Sequence, residues 1–220
     1  MKADQTPLPR ILVLASGSGT NLQALIDASR ERDFPGQVVA VGSNQPGAFA
    51  LERAAQANIE TFVVNHRNFE SREEFDASLM AEILRYNPDL IVLAGFMRIL
   101  TTDFVRAFRG KVLNIHPSLL PKYTGLNTHQ RALDAGDTLH GVSIHFVTEE
   151  LDGGPVIAQA DVAIAPDDTP ESLAEKVREK EHTLYPIVVR WFCEGRIQLG
   201  SDYVAFDGEP LNSPMRLPAE

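Results

Sequence analysis

Cysteine is almost absent from this sequence of 220 residues: Cys193 stands alone, so no disulfide can form within the chain. The chain also lacks an apolar run long enough to cross a membrane. Its opening segment, MKADQTPLPR, has no apolar stretch of the length that a secretion signal requires. Together these absences predict a cytoplasmic protein without a membrane partner.

Basic residues are scarce. The chain has 20 Lys and Arg against 30 Asp and Glu, which gives a net charge of −10. A protein that binds nucleic acid broadly would normally be basic, so we expect no nucleic-acid partner. A small anionic substrate is still compatible with this charge, because helix dipoles and a few cations decide such binding.

The sequence also lacks the spacings typical of metal sites. None of its six histidines forms an H-x-H or H-x-x-x-H pattern, so we expect no metal. His140 and His145 lie five apart in a predicted strand, on opposite faces. Cys193 follows Trp191 and Phe192 at the end of a predicted helix, which favours a packed thiol over a nucleophile.

Unbroken apolar runs are present and alternate with helical patterns. Runs such as ILVLAS (11–16), VVAVGS (38–43) and DLIVLAG (89–95) are typical of parallel strands covered on both faces. Two later segments, 140–148 and 155–164, flank ELDGG and predict a hairpin. We predict an α/β fold with a doubly wound, mainly parallel but mixed sheet and helices on both faces.

Helix boundaries and domain limits follow from local signals. Ser71 and Glu74 match a capping box, and Thr169 before Pro170 predicts the start of a long last helix. That helix ends at Pro186 or kinks there and continues. We predict a single domain over 1–220, with an ordered core of about 10–195 and a polar, poorly ordered tail over about 207–220.

The unusual polar residues follow the predicted strand ends. Gly17 to Asn21 follow the first strand, Ser43 and Asn44 end the second, Gly95 to Arg98 follow the fourth, and Asn114 and His116 end the fifth. Ligands of open parallel sheets bind beyond the carboxyl ends of the strands. We therefore expect these residues to converge on one crevice.

The glycine loop SGSGTNLQ has two interpretations. A tight strand-to-helix turn needs glycine in any case, and a helix N-terminus also suits a phosphate. Leu22 occupies the third glycine position of a dinucleotide fingerprint, and no acid follows the second strand. Since no Gly-Lys-Ser/Thr follows either, a monophosphate fits better than NAD or ATP.

Asn114, His116 and Asp152 are the candidates for chemistry. Asn114 and His116 point to the same side of a strand, and PSLLPKY with its two prolines then forms a loop over the strand end. A structural edge pair is the alternative. Asp152 precedes two glycines, so it is either a hairpin turn acid or a carboxylate that reaches the crevice, and spacing does not decide between them.

Four stretches together resemble the folate-dependent phosphoribosylglycinamide formyltransferases of purine biosynthesis. They are SGSGTNLQALIDA, LAGFMRIL, NIHPSLLPKY and GVSIHFVTEELDGGPVI, which occur in the family's order within about residues 10–195. The resemblance implies a formyltransferase-like fold and small-molecule substrates. It implies transfer of the formyl group of 10-formyltetrahydrofolate to the amine of glycinamide ribonucleotide, without a metal.

The same resemblance implies residue roles. Asn114, His116 and Asp152 match the family's catalytic residues. The positions that match ribonucleotide contacts are Gly19, Thr20, Asn21, Arg178, Glu179, Lys180 and Glu181. Those that match folate contacts are Arg72, Met97, Arg98, Ile99, Leu100, Asn114, Thr148, Glu149, Glu150, Leu151 and Asp152.

Direct attack through a tetrahedral intermediate gives each of Asn114, His116 and Asp152 a chemical role. The Asn114 amide can donate to the developing oxyanion, and His116 can donate and shuttle protons. Asp152 favours the imidazolium form through its opposite charge. No covalent enzyme intermediate is required.

Two departures from the family pattern are visible. The phosphate loop reads Gly17-Ser18-Gly19-Thr20-Asn21 where the family often has GNGSN, so a hydroxyl is kept. Asn127 stands where a histidine is common, which weakens any role for an auxiliary imidazole.

Three rival functions are left open by the residues. A hydrolase that releases formate shares most of the trio, but we expect its usual N-terminal regulatory domain to be missing before the first strand. A transferase acting on charged initiator tRNA usually carries a C-terminal domain and is disfavoured by the acidic charge. A non-catalytic nucleotide-binding module explains the glycine loop but not the trio.

Overall fold

Strands and helices alternate along the chain in the computed structural model, which describes residues 7–217. The amino-terminal part contains β1 Arg10–Leu14, α1 Thr20–Ser29, β2 Gln37–Ser43, α2 Phe49–Gln56, β3 Glu60–Val63, a 3-10 helix His66–Asn68, α3 Arg72–Arg85, β4 Leu90–Leu93, α4 Thr102–Ala107 and β5 Val112–His116. The remainder contains α5 Thr128–Asp134, β6 Leu139–Phe146, β7 Val156–Ala163, α6 Pro170–Cys193, β8 Ile197–Leu199, β9 Val204–Phe206, β10 Glu209–Pro210 and β11 Met215–Arg216.

Eight strands form the central sheet, in the order β11-β7-β6-β5-β4-β1-β2-β3. All neighbours from β3 to β5 pair in parallel, whereas β5–β6 and β6–β7 pair antiparallel. The predicted hairpin is therefore present, and the predicted doubly wound, mixed α/β fold is confirmed. Within residues 7–217, no helix is both long and apolar enough to cross a membrane.

Two apolar layers cover the sheet, which explains the unbroken apolar runs. Ile11 and Val13 of β1, and Ala15 just after it, pack with buried residues of α1, α2 and α6. Leu12 and Leu14 point to the other face, where they pack with α3 and α4. Alternate residues of β1 thus enter different cores, which explains why this strand is apolar on both faces.

Helix starts agree with the sequence signals. The Ser71 hydroxyl accepts a hydrogen bond from the Glu74 amide at 3.1 Å at the start of α3. Thr169 and Ser172 form a reciprocal capping box at α6, with Pro170 in the first turn. Pro186 lies inside α6, which continues to Cys193, so the helix does not end at this proline.

The expectation of a poorly ordered tail is wrong for residues 207–217. Here β10 pairs with β9 in a small antiparallel sheet, and β11 adds a parallel edge strand beside β7. The pattern of prolines and polar residues did not indicate strands of two residues, whose pairing depends on partners elsewhere. The predicted lead-in over 1–6 and the last residues, 218–220, lie outside the described residues.

Tyr185 joins α6 to the sheet beneath the strand ends. Its side chain is fully buried, and its hydroxyl lies 3.0 Å from the Leu93 carbonyl oxygen and 3.1 Å from that of Leu113. Burial raises the pKa of Tyr185 well above its usual range, so the hydroxyl keeps the proton that it donates.

Tyr185→Phe should therefore lower the free energy of unfolding by about 1–2 kcal/mol, because buried carbonyl groups lose their donor. Urea unfolding followed by circular dichroism measures this change. Tyr203→Phe is the matched control: Tyr203 is 41% exposed, and its loss of a hydroxyl should change stability by less than about 0.5 kcal/mol. Equal effects of the two substitutions would contradict the assigned role of Tyr185.

Candidate active site

The order in which strands are added to the sheet reverses between β1 and β4, and a crevice opens at the carboxyl ends of these two strands. The chain runs outward from β1 to β2 and β3, then returns to β4 on the other side of β1. A cavity of about 220 Å³ lies there, as expected for an open α/β sheet. Its lining comes from three strand ends: Ser16 to Asn21, Gln45, and Ala94, Gly95 and Met97.

The glycine loop is tightly packed against α2. Gly19 has φ of +69°, and a Cβ there would lie 2.7 Å from both Cα and Cβ of Ala50. Arg53 from α2 donates to the Ser18 carbonyl oxygen at 2.8 Å. Packing against α2 therefore requires glycine at position 19 whether or not a phosphate binds. A substitution of Thr20, the first residue of α1, is the better test of phosphate binding.

Asn21 and Glu181 join two segments that are far apart in sequence. The Asn21 side-chain amide donates to the Glu181 carboxylate at 2.8 Å. Burial raises the pKa of Glu181, which the Asn21 hydrogen bond and the Arg178 charge oppose. The Asn21 side-chain oxygen is buried and has no hydrogen-bond partner among residues 7–217, so an acceptor is available beside the loop.

The side chains from Arg178 to Glu181 do not all face the crevice. Glu181 lies on the same side of α6 as the buried residues Val177 and Tyr185. Glu179 lies two residues from Glu181, roughly 160° around the helix axis, and is exposed. The structure thus brings Glu181 to the crevice with Arg178 near it, and does not bring Glu179. Lys180 lies between these two directions.

Asn114, His116 and Asp152 meet at the end of β5. The Asp152 carboxylate lies 3.5 Å from Nδ1 of His116, and both side chains are less than one-tenth exposed. The same carboxylate accepts a hydrogen bond from the Gly125 amide at 2.8 Å. Asp152 has φ of +52°, which suits a turn, but a turn alone does not require its side chain to face His116.

His145 was not predicted, and it completes this group. Its Nε2 lies 3.1 Å from the side-chain amide nitrogen of Asn114, and its Nδ1 lies 2.9 Å from the Phe146 carbonyl oxygen. Burial lowers the pKa of His145 to about 4. The ring is therefore neutral near pH 7, with Nδ1 donating to the backbone and Nε2 accepting from Asn114.

The position of His145 follows from the pairing of β5 with β6. In the antiparallel β5–β6 ladder, Asn114 lies directly opposite His145 and His116 lies opposite Ser143. Side chains directly opposite each other share one face of the sheet. The connection between β5 and β6 is long and contains α5, so no turn motif in the sequence fixes this register.

The loop after β5 closes over His116. Its Nε2 lies 2.8 Å from the Tyr123 carbonyl oxygen, so this nitrogen donates to the backbone. Asp152 faces the other ring nitrogen. Elsewhere in the loop, the Ser118 hydroxyl donates to the Lys122 carbonyl oxygen at 2.6 Å, and Thr128 donates to that of Pro117 at 2.7 Å.

The segments expected to contact folate present apolar side chains to solvent. Met97 is 67% exposed, Ile99 54% and Leu151 53%. Such exposed side chains on two segments next to a polar crevice are typical of a ligand surface. The other predicted folate positions are placed as follows: Arg72, Glu149 and Glu150 are exposed, whereas Arg98, Leu100, Asn114, Thr148 and Asp152 are partly buried.

Two buried polar atoms lie near these segments. Arg98 Nε is buried without a hydrogen-bond partner in the part of the chain that the structure describes, and so is one oxygen of Asp76. The other Asp76 oxygen accepts from the Thr101 amide at 2.6 Å and links α3 to the end of this segment. Glu149 is held by Arg106 at 2.8 Å.

Known proteins are similar to this chain in both sequence and fold. A family model described as formyl transferase matches residues 9–189. The chain belongs to the formyl transferase family. Phosphoribosylglycinamide formyltransferase of Escherichia coli is 51% identical over 91% of this chain and 95% of its own. The protein of the same name from Haemophilus influenzae is 48% identical over 93% of this chain and 96% of its own.

A solved structure agrees with these relatives. Phosphoribosylglycinamide formyltransferase of Coxiella burnetii, in complex with CHES, is 50% identical and covers 96% of this chain and 100% of its own, with a TM-score of 0.91. The family and the enzyme class predicted from the motifs are therefore confirmed.

The buried histidines of this formyl transferase make its stability depend on pH. His140 and His145 are 1% and 2% exposed, and burial lowers the pKa of each to about 4. A histidine in the unfolded chain has a pKa of about 6.5. Between these values the unfolded chain binds more protons, so these two groups make the free energy of unfolding fall as the pH is lowered.

His140→Gln should flatten this dependence by up to about 1.4 kcal/mol per pH unit between about pH 4 and 6.5. Urea unfolding of both proteins at several pH values measures the two slopes. The raised pKa values of Asp76 and Glu181 act in the opposite direction, and the comparison of variant with wild type removes their contribution. Equal slopes would show that the pKa of His140 is the same in the folded and the unfolded protein, which would contradict the prediction.

Proposed function

We propose that the chain transfers the formyl group of 10-formyltetrahydrofolate to the amine of glycinamide ribonucleotide by direct attack through a tetrahedral intermediate. The observation that carries the proposal is the meeting of Asn114, His116 and Asp152 at the end of β5. The names of the relatives support the choice of substrates.

Asn114 supplies a hydrogen-bond donor for the oxygen of the formyl group. One N–H of its amide points to Nε2 of neutral His145, which holds the side chain and fixes which end is nitrogen. The second N–H is available for the oxygen that becomes negative as the amine attacks. A donor of this kind is typically worth about 3–4 kcal/mol in the transition state.

His116 and Asp152 handle the proton that the amine must lose. The Asp152 carboxylate lies 3.5 Å from Nδ1 of His116, and the Gly125 amide holds the carboxylate in place. The Tyr123 carbonyl oxygen occupies the other ring nitrogen, and this single contact from a loop is the one that a substrate can replace. With its single hydrogen on Nδ1, toward Asp152, the ring takes the amine's proton at Nε2. It returns this proton to the folate nitrogen as the bond between that nitrogen and the formyl carbon breaks.

The ribonucleotide fits the crevice beside the glycine loop. The N-terminus of α1 offers backbone N–H groups to a phosphate, with the Thr20 hydroxyl beside them. Glu181 offers an acceptor for hydroxyl or amine hydrogens, and Asn21 holds it in place. The folate would lie across Met97 to Leu100 and Thr148 to Asp152, where the exposed apolar side chains suit a flat ring system.

A formyl-transfer assay with and without glycinamide ribonucleotide tests the function. We expect consumption of the formyl folate only when the ribonucleotide is present. Release of free formate in its absence would favour a hydrolase, and formylation of charged initiator tRNA would favour a different transferase. Binding of the ribonucleotide without turnover would leave a nucleotide-binding module.

Asn114→Asp keeps the size of the side chain but replaces the donor with a negative carboxylate. We expect kcat to fall about 10²–10³-fold, with smaller changes in the KM of either substrate, because the lost interaction forms chiefly in the transition state. Steady-state kinetics of the purified variant measure both constants. Asn58→Asp, an exposed position after α2, is the control and should leave kcat unchanged. Near-normal kcat in folded Asn114→Asp would remove Asn114 from the mechanism.

Asp152 is tested by a pair of substitutions. Asn tolerates the left-handed backbone at this position and still accepts from the Gly125 amide, so Asp152→Asn removes only the charge. Asp152→Ala removes the charge and the acceptor together.

If Asp152 acts on His116, both variants should lose about 10²-fold or more in kcat. Asp152→Asn should in addition keep wild-type ribonucleotide affinity and thermal stability, measured by calorimetry. If Asp152 is a turn residue, Asp152→Asn should resemble wild type and only Asp152→Ala should be impaired.

A further inference from the structure

A buried polar cluster lies under the crevice, where β1 and β2 end. Ser16 is 5% exposed and Asn44 is 1% exposed. The Ser16 hydroxyl lies 2.6 Å from the Asn44 side-chain oxygen and donates its hydrogen to it. No role in the chemistry above uses either side chain.

The same hydroxyl also holds the turn that follows β4. Ser16 Oγ accepts a hydrogen bond from the Met97 amide at 2.7 Å, and the Ser16 amide donates to the Gly95 carbonyl oxygen at 3.1 Å. Ser16 thus binds this turn through both its backbone and its side chain. It directly precedes Gly17, the first residue of the glycine loop.

The direction of each hydrogen bond in the cluster follows from its chemistry. A backbone N–H can only donate, so the hydroxyl accepts from Met97 and has one hydrogen left, which goes to Asn44. The Asn44 oxygen therefore points to Ser16. The backbone oxygen of Asn44 lies 2.8 Å from Nδ1 of His66, so the next loop along the sheet holds Asn44 in turn.

We propose that Ser16 is a positioning residue that sets the distance between the two substrate subsites. Its hydroxyl links the segment expected to contact folate, which begins at Met97, to the loop expected to bind the ribonucleotide phosphate. This inference rests on the proposed function for the identity of the two substrates. The cavity between the two segments, which Ser16 itself lines, is the space whose width the hydroxyl determines.

Ser16→Ala removes the acceptor of the Met97 amide, and we expect the folate-side turn to move. The KM for the formyl folate should rise at least about fivefold, as the loss of one buried hydrogen bond implies, with a smaller change in the KM for the ribonucleotide. Ser16→Cys keeps the side chain's position with a poor acceptor, so it should show the same selectivity if the alanine variant folds poorly.

Ser43→Ala is the matched control. Ser43 is fully buried at the end of the neighbouring strand β2, and its hydroxyl oxygen accepts from the Gln45 amide at 3.1 Å without contacting Met97. It loses a buried hydrogen bond of the same kind, so its stability should fall as in Ser16→Ala. Because Gln45 lines the cavity, a change in the KM for the ribonucleotide does not affect the comparison, but the KM for the formyl folate should stay within about twofold of wild type.

Hydrogen exchange of the Met97 amide, followed by NMR on the free protein, adds a measurement that does not need turnover. We expect exchange to be at least about tenfold faster in Ser16→Ala than in wild type or Ser43→Ala. Faster exchange together with a wild-type KM for folate would overturn the inference, because the hydroxyl would then only brace the fold.

The inference and the proposed function fail in different ways. A wild-type protein without formyl transfer would overturn the function, whereas calorimetric binding of the formyl folate would still test Ser16. A folate affinity that falls in Ser16→Ala but not in Ser43→Ala supports the positioning role. Equal affinities in the two variants contradict it.

Discussion

The register of β5 between β4 and β6 is the constraint on which the site depends. In this register Asn114 lies beside Leu93 on one side and His145 on the other. A slip by one residue would turn Leu113 and Ile115 toward the crevice and bury Asn114 and His116 in the core under α6. The apolar residues that alternate with the polar pair therefore hold the register that the proposed chemistry requires.

Burial then decides the state of each polar group at this point. His145 is neutral because it is taken out of water, and a neutral ring with one accepting nitrogen can orient the Asn114 amide. Asp152 stays close to His116 because the Gly125 amide holds it from a second loop. The Ser16 hydroxyl plays a corresponding part on the other side of the crevice, where it holds the turn after β4. Each segment of the proposed site is thus held by a group that lies behind it.

The parts of the fold that were predicted correctly have local causes. The strands of the parallel sheet are apolar on both faces, and the caps at Ser71 and Thr169 are local hydrogen bonds, so both are visible in short windows of sequence. The last strands, β10 and β11, were missed because two-residue strands have no periodicity, and β11 exists only through its pairing with β7. His145 was missed because its contact depends on the register of two strands.

Sequence alone determined the order of strands and helices from β1 to β5, the hairpin of β6 and β7, the long helix α6, the polar residues at strand ends and the family to which the motifs belong. These follow from apolar periodicity, turn chemistry and the residue types that acyl transfer needs. Tertiary structure decided which of those residues meet: it brought Asn21 to Glu181 and Asp152 to His116, and it turned Glu179 away from the crevice. The physical reason is that helix phase, strand register and loop closure set distances between residues that lie far apart in the chain, and no local pattern encodes them.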